Sequence, residues 1–146
     1  MVDRVESIEM NKKYKNIALL IFVVAIVGYI TAQQTMNNNE VISAKDAHAQ
    51  LKNDTSIVLL DVRTSEEHFS ERISNNLLIP VQELEQRIHE LDSLKTRTII
   101  VYCRSGNRSG SATTILRKHG FNALNMQGGI IRWKLDQFKT ITGPTK

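Results

Sequence analysis

Residues 98–109 read TIIVYCRSGNRS and combine the strongest strand signal in the chain with a polar, glycine-containing loop. The apolar and β-branched residues at the start of this segment are typical of a strand buried on both faces of a parallel sheet. After the loop, residues 109–119 have the apolar spacing of a helix, which Gly120 ends. A strand, a tight loop and a helix in this order predict an α/β unit, with Cys103 at the carboxyl end of the strand.

The sequence on both sides of this unit alternates between short apolar runs and segments with helical features. The runs at residues 57–60, 77–79 and 123–126 predict further strands. Helix-capping signals or helical spacing occur in the segments between and after them: residues 43–52, 64–67, 82–91 and 128–135. Strands that alternate with helices indicate an α/β domain on a mostly parallel sheet.

Length and composition exclude several classes of protein. The chain has 146 residues, a net charge of +4 and 41% hydrophobic residues, which fits one domain with an appendage. Its positive charge is mild and scattered, so we expect no nucleic-acid partner. Cys103 is the only cysteine, which excludes an internal disulfide and a multi-thiolate metal site. The histidines lack metal-site spacing, so we expect no metal and no cofactor.

Residues 17–32 form an uncharged apolar stretch, IALLIFVVAIVGYITA. As a helix it measures about 24 Å, slightly short of a roughly 30 Å hydrocarbon core. We expect one transmembrane helix, preceded by a segment at residues 1–16 and followed by a polar linker at residues 33–40. The alternative is a secretory signal cleaved after Ala32, which the acidic residues upstream and Ile30 at the cleavage site disfavour.

Basic residues are distributed unequally around this apolar stretch. The first one downstream is Lys45, whereas three lysines lie close upstream: Lys12, Lys13 and Lys15. The positive-inside rule therefore predicts a cytoplasmic N-terminus and a domain on the other side, the periplasm in a Gram-negative host. In this interpretation the folded domain spans residues 41–139, and residues 140–146 form a C-terminal tail.

The loop after the strongest strand has the features of an anion-binding, thiolate-stabilising site. It ends at a helix N-terminus, where free N–H groups favour negative charge. Its small and polar residues suit a turn whose amides converge on one point. Such surroundings lower the pKa of a thiol below about 8.5; an inert buried thiol is the alternative, and the cationic loop disfavours it. Besides Cys103, the candidate site residues are Arg104, Ser105, Gly106, Asn107, Arg108 and Ser109.

Cysteine phosphatases use a related loop, in which an arginine lies six positions after the nucleophilic cysteine. In this chain Arg108 lies five positions after Cys103, and Ser109 lies six after it. The shorter loop leaves less room for a tetrahedral phosphate or arsenate, and it suits the terminal sulfur of a small donor. Phosphatase and arsenate reductase activity are therefore the less favoured alternatives.

Three stretches of the chain resemble the rhodanese family, over roughly residues 42–133. LDVR at residues 60–63, with Glu67 and Phe69 after it, is similar to the LDVR…E(Y/F) segment of that family. CRSGNRS resembles its active-site loop in the six-residue form. The C-terminal signature is similar to residues 120–121, 128–129 and 133. One departure is ERI at residues 71–73, where the family usually has Gly-His-Ile.

The resemblance implies a five-stranded parallel sheet flanked by helices, and a thiosulfate sulfurtransferase. Cys103 would take sulfane sulfur from a small anionic donor such as thiosulfate and pass it, as a persulfide, to a thiol or cyanide. The loop amides would hold the charge of the persulfide, and Arg104 and Arg108 would attract the donor. We interpret Asp61 and Arg63 as residues that brace the loop. The competing hypothesis is a membrane-tethered, non-catalytic module, which the complete loop disfavours.

Overall fold

The computed structural model describes residues 15–29 and 41–143, which fall into two units divided at Asn38. In the first unit, residues 15–29 form helix α1. Within the described part of the chain, no helix is both long and apolar enough to cross a membrane. Three parts of the predicted N-terminal organisation lie outside the described residues: residues 1–14, residues 30–32 and the linker at residues 33–40.

The second unit alternates strands and helices along its length. Its elements are β1 (Val41–Ile42), α2 (Ala44–Asn53), β2 (Val58–Asp61), α3 (Ser65–Ser70), β3 (Asn76–Leu78), α4 (Leu84–Arg87), a 3₁₀ helix (Ile88–Leu94), β4 (Thr98–Tyr102), α5 (Asn107–Lys118), β5 (Asn122–Met126) and α6 (Gly129–Leu135). Thr64 forms the predicted capping box at α3, in which its hydroxyl accepts from the amide of Glu67. Strand β1 was not predicted, because a two-residue strand has no periodic signal.

The strands form a five-stranded sheet in the order β1-β5-β4-β2-β3, and every pair is parallel. This confirms the predicted α/β class and the parallel five-stranded sheet. Strand β4 lies in the middle, since β2 pairs with one of its edges and β5 with the other. Its carboxyl end therefore opens at the centre of the sheet, where ligands of parallel α/β sheets bind.

Both faces of β4 are buried, which explains its continuous apolar sequence. Ile99, Val101 and Cys103 belong to one hydrophobic core, together with residues of α4, the 3₁₀ helix and α5. Ile100 and Tyr102 belong to the other core, together with residues of α2 and α6. The alternation along the strand places Cys103 on the face that α5 covers.

The helix predicted at residues 82–91 differs from the observed structure. Only Leu84–Arg87 is α-helical, and Ile88–Leu94 continues as a 3₁₀ helix. Ile88, Leu91 and Leu94 all pack in the same core, and their three-residue spacing matches the three residues per turn of a 3₁₀ helix. The tighter helix thus keeps these side chains on one face, where an α-helix would rotate them apart.

The predicted C-terminal tail also differs, because the fold continues to residue 143. Arg72 and Ile141 form an antiparallel bridge with backbone hydrogen bonds of 2.8 and 2.7 Å. The Arg72 side chain is buried and donates to the carbonyl of Gly143, whose amide donates to Phe69. Arg72 lies in the ERI segment, so the departure from the family pattern coincides with this docking of the C-terminal residues.

Candidate active site

The sulfur of Cys103 lies at the carboxyl end of β4, enclosed by the turn that leads into α5. Cys103 is buried, and its Sγ accepts a hydrogen bond of 3.1 Å from the amide of Gly106. The hydroxyl oxygen of Ser109 lies 3.4 Å from the same sulfur. Gly106 caps α5 with a φ of +104°, a conformation that a residue with a side chain rarely adopts. The loop therefore wraps around the sulfur and directs donors towards it.

These donors decide the ionisation of the thiol. Burial by itself raises the pKa of Cys103, because it removes water from the charged form. Hydrogen bonds from the Ser109 hydroxyl and from the amides of Ser109, Gly106 and Ser105 outweigh burial and lower the pKa below its ordinary value. The arrangement favours a thiolate, which is the nucleophilic form of cysteine.

The two arginines of the loop lie in different surroundings. Arg104 is exposed. Arg108 is half-buried and makes a two-pronged ion pair with Glu67 of α3, at 2.7 and 2.8 Å. The carboxylate, and to a smaller degree the Cys103 sulfur, raises the pKa of Arg108. Glu67 therefore holds Arg108 in place beside the cysteine loop.

We expect the Glu67–Arg108 pair to make stability depend on acidity. The hydrogen bonds from Arg108 lower the pKa of Glu67 from 4.5 to about 2. A carboxylate with a depressed pKa stabilises the fold above its unfolded pKa, and this contribution disappears as the pH falls from about 4.5 to about 2. Glu67→Gln should therefore lower the free energy of unfolding by about 1 kcal/mol at pH 7.

Urea denaturation of both proteins at several pH values measures this effect. The difference between wild type and Glu67→Gln should shrink below pH 4.5 and be absent near pH 2. Glu85→Gln provides a control, because Glu85 lies in α4, away from this pair. A difference that persists unchanged at low pH would contradict the assignment of the ion pair.

The start of α6 fixes the outer side of the loop. The amide of Ile130 donates to the carbonyl of Cys103 at 2.9 Å, and that of Ile131 donates to Arg104 at 3.2 Å. Gly129, the preceding residue, has a φ of +55°, and a Cβ at this position would lie 2.3 Å from the Cys103 carbonyl oxygen. Only glycine permits this approach, which explains the glycine at position 129.

Residues 43–136 match the sequence profile of a family described as the rhodanese-like domain. The chain belongs to this family. A sulfurtransferase of Allochromatium vinosum is 33% identical over 93 residues, which cover 63% of this chain and 85% of that protein. The thiosulfate sulfurtransferase PspE of Escherichia coli is 34% identical over 71 residues, covering 49% of this chain and 68% of the relative.

A solved structure supports the same assignment. A rhodanese-related protein from Thermoplasma volcanium superimposes with a TM-score of 0.64 at 29% identity, covering 70% of this chain and 97% of the other. Relatives of greater length also occur: the chain covers 51% of the protein slr1261 of Synechocystis. The family match at residues 43–136 lies within the described unit at residues 41–143.

Asp61 and Arg63 form a buried ion pair at the end of β2, in which Arg63 Nη2 lies 2.6 Å from Asp61 Oδ2. Asp61 also contacts the ring of His68 in α3 at 3.1 Å, and Arg63 donates to the carbonyl of Glu71 at 2.8 Å. Both contacts hold α3 and the segment after it. The pair thus acts on the cysteine loop of the rhodanese domain indirectly, because α3 carries the Glu67 that binds Arg108.

Sequence analysis missed Asn125, whose side chain contacts the loop. Asn125 of β5 lies with its side-chain oxygen 2.7 Å from the Ser109 hydroxyl, and its amide nitrogen donates to the carbonyl of Gly106 at 3.2 Å. Its only signal in the sequence was an asparagine inside a predicted strand, where this residue type is uncommon.

Within residues 15–29 and 41–143, no group of acidic, histidine and cysteine side chains could hold a metal ion.

Proposed function

We propose that this protein is a sulfurtransferase that carries sulfane sulfur as a persulfide on Cys103, with thiosulfate as donor and cyanide or a small thiol as acceptor. The observation that carries the proposal is the set of hydrogen-bond donors that converge on Cys103 Sγ, which lower the pKa of the thiol although it is buried. A binding module needs no such thiolate. Membership of the rhodanese-like family and the sulfurtransferases among its relatives support the same activity.

The reaction proceeds in two displacements. In the first, the Cys103 thiolate attacks the outer sulfur of thiosulfate, a new S–S bond forms, and sulfite leaves with the electron pair of the bond that breaks. In the second, cyanide or a thiolate attacks the terminal sulfur of the persulfide, and the Cys103 thiolate leaves. The loop amides lie ready to hold negative charge on the terminal sulfur, in the manner of an oxyanion hole.

The arginines have separate roles in this proposal. Arg104 is exposed and contributes positive potential that attracts the dianionic donor. Arg108 is oriented by Glu67, so its charge faces the same region without reorganisation when the donor arrives. Sulfite departs more easily from a site that retains a fixed positive charge.

The test is the formation of thiocyanate from thiosulfate and cyanide by the full-length protein. We expect activity with double-displacement kinetics, in which the apparent kcat/KM for thiosulfate does not depend on the cyanide concentration. Aryl phosphates and arsenate serve as control substrates, and we expect no turnover of them because the loop is too short. Efficient hydrolysis of aryl phosphates without thiocyanate formation would overturn the proposal in favour of a phosphatase.

We also propose that the apolar segment at residues 17–32 attaches the domain to a membrane, with the domain on the non-cytoplasmic side. The support is the absence of charge in this segment and the lysines upstream of it. Protease added to spheroplasts should digest the domain. If the domain is protected until the membrane is lysed, the orientation is wrong; a mature protein that starts after Ala32 and remains soluble would indicate a cleaved signal.

A further inference from the structure

The hydroxyl of Ser109 has one proton and three acceptors within reach. Ser109 is buried, and its Oγ lies 2.7 Å from Asn125 Oδ1, 3.1 Å from the carbonyl of Gly106 and 3.4 Å from Cys103 Sγ. A hydroxyl group donates only one hydrogen bond at a time. The Gly106 carbonyl already accepts from the amide of Gly110 at 3.0 Å. The main competition for the proton is therefore between Asn125 and Cys103.

The orientation of the Asn125 side chain is fixed by a second contact. Its Nδ2 donates to the carbonyl of Gly106 at 3.2 Å. In the opposite orientation, Oδ1 would face the Gly106 carbonyl, and two acceptors would lie against each other without a proton between them. Oδ1 is thus held towards Ser109, at a shorter distance than that between Ser109 and the sulfur.

We propose that Asn125 is a positioning residue that acts through Ser109, by taking up the hydroxyl proton whenever Cys103 Sγ carries no charge. This inference rests on the proposed sulfur transfer and adds a residue to it. When the sulfur is a thiolate, its charge draws the hydroxyl to Sγ. When the sulfur is a thiol, or has become the inner sulfur of a persulfide, the hydroxyl turns to Asn125 Oδ1.

The rotation of the Ser109 hydroxyl from Cys103 Sγ to Asn125 Oδ1 accompanies the first displacement. As Cys103 Sγ forms its bond to the outer sulfur of thiosulfate and sulfite leaves with the electron pair, the negative charge moves from Sγ to the terminal sulfur. Ser109 keeps its proton throughout and only changes acceptor. Without Asn125, the hydroxyl has no second acceptor once the charge has left Sγ. The thiol and the persulfide lose this hydrogen bond and the thiolate does not, so the pKa of the thiol falls, and the nucleophilicity of the thiolate falls with it.

No charged group needs to change for this effect. Cys103 lies beside β2, β4, the loop, α5 and the start of α6. Strands β4 and β5 carry no charged residue, and Asp61 of β2 is paired with Arg63. The charged groups of the loop, α5 and α3 nearest this site are Arg104, Arg108 and Glu67, the last two paired with each other. A neutral substitution at Asn125 leaves all of them in place. Any change that this substitution causes in the pKa of Cys103 therefore arises from the hydroxyl of Ser109.

The experiment is a titration of Cys103 by the ultraviolet absorbance of its thiolate, which is unambiguous because the chain has one cysteine. Asn125→Leu keeps the shape of the side chain and removes the acceptor. We expect the pKa of Cys103 to fall by about half a unit to one unit, the size of one ordinary hydrogen bond. At a pH above both pKa values, the rate of sulfur loading from thiosulfate should fall about twofold.

The matched control is Ser109→Ala, alone and combined with Asn125→Leu. The single change should raise the pKa of Cys103, and the second change should add nothing in that background. Asn125→Ala, which also lacks the acceptor but is smaller, should shift the pKa in the same direction as Asn125→Leu. Circular dichroism verifies that each variant is folded.

If Asn125 had a purely structural role, its replacement would shift the pKa of Cys103 in the opposite direction. Loosening the loop would weaken the amide hydrogen bonds to Sγ and raise the pKa of Cys103. A rise, no change, or an equal fall in the Ser109→Ala background would overturn the inference. Because the titration needs no donor, it decides this point even if thiosulfate proves not to be a substrate.

Discussion

We expect wild-type protein incubated with thiosulfate alone to gain about 32 Da, the mass of one sulfur atom bound covalently to the nucleophile. Cys103→Ser should gain no mass, and its thiocyanate formation should fall on the order of a thousandfold or more. A serine hydroxyl at this position is not ionised near neutral pH and does not attack sulfane sulfur. Intact mass spectrometry after removal of excess donor measures the change.

The persulfide should accumulate because the chain offers no internal route for its decay. Cys103 is the only cysteine, so no second thiol can attack the terminal sulfur and form an internal disulfide. We expect the loop amides, which surround Cys103 Sγ in the structure, to hold the negative charge of the terminal sulfur. Addition of cyanide or a small thiol should return the mass to its original value.

Wild-type protein alkylated at Cys103 before exposure to thiosulfate provides the control, and it should gain no sulfur. Arg108→Ala should slow loading from thiosulfate more than discharge to a small thiol that has no other charged group, since the dianionic donor and the sulfite that leaves it carry more negative charge than the attacking thiolate. A folded wild-type protein that gains no mass from thiosulfate would show that thiosulfate is not a donor for this thiol. A mass gain in Cys103→Ser would show that the sulfur resides elsewhere.

The second large effect is expected from Gly129→Ala. A Cβ at this position would lie 2.3 Å from the Cys103 carbonyl oxygen and 2.6 Å from that of Arg104. The new methyl group would push the loop away from α6 and break the hydrogen bonds that Ile130 and Ile131 donate. We expect a loss of about 3 kcal/mol or more in the free energy of unfolding, together with a rise in the pKa of Cys103.

Gly120→Ala is the matched control for this change. Gly120 also has a positive φ, +84°, but a Cβ there would meet no atom within 4 Å. Gly120→Ala should lower the free energy of unfolding by about 1 kcal/mol, the cost of a positive φ at alanine, and leave the pKa of Cys103 unchanged. Urea denaturation and thiolate titration compare the two variants. Equal losses of stability would mean that the close approach of α6 to the loop does not contribute to the fold.

Local features of the fold were predictable because each depends on residues close together in the chain. The apolar run at Thr98–Tyr102 required a strand with two buried faces, and the capping box at Thr64 required the start of a helix. The position of Cys103 between that strand and α5 follows from the same local pattern. The predicted bounds of an element differ from the observed ones where tertiary packing determines them, as in the 3₁₀ helix at Ile88–Leu94.

The surroundings of the sulfur were only partly predictable. The hydrogen-bond donors to Cys103 Sγ come from the turn between Cys103 and Ser109. The small and polar residues of this turn had predicted them. The partner of Arg108 lies 41 residues away in α3, and Asn125 reaches Ser109 from β5. No periodicity or spacing in the sequence connects these residues, because they meet only through the order of the strands in the sheet.

The local sequence specifies a parallel α/β domain and places a cysteine at the carboxyl end of its strongest strand. It does so because hydrophobic period, capping and turn chemistry act over a few residues. Three other features depend on the assembled fold: Glu67 holds Arg108, Gly129 lets α6 approach the loop, and residues 141–143 bond to the segment around Arg72. These contacts join segments whose proximity depends on the sheet as a whole, and such contacts leave no trace in local sequence.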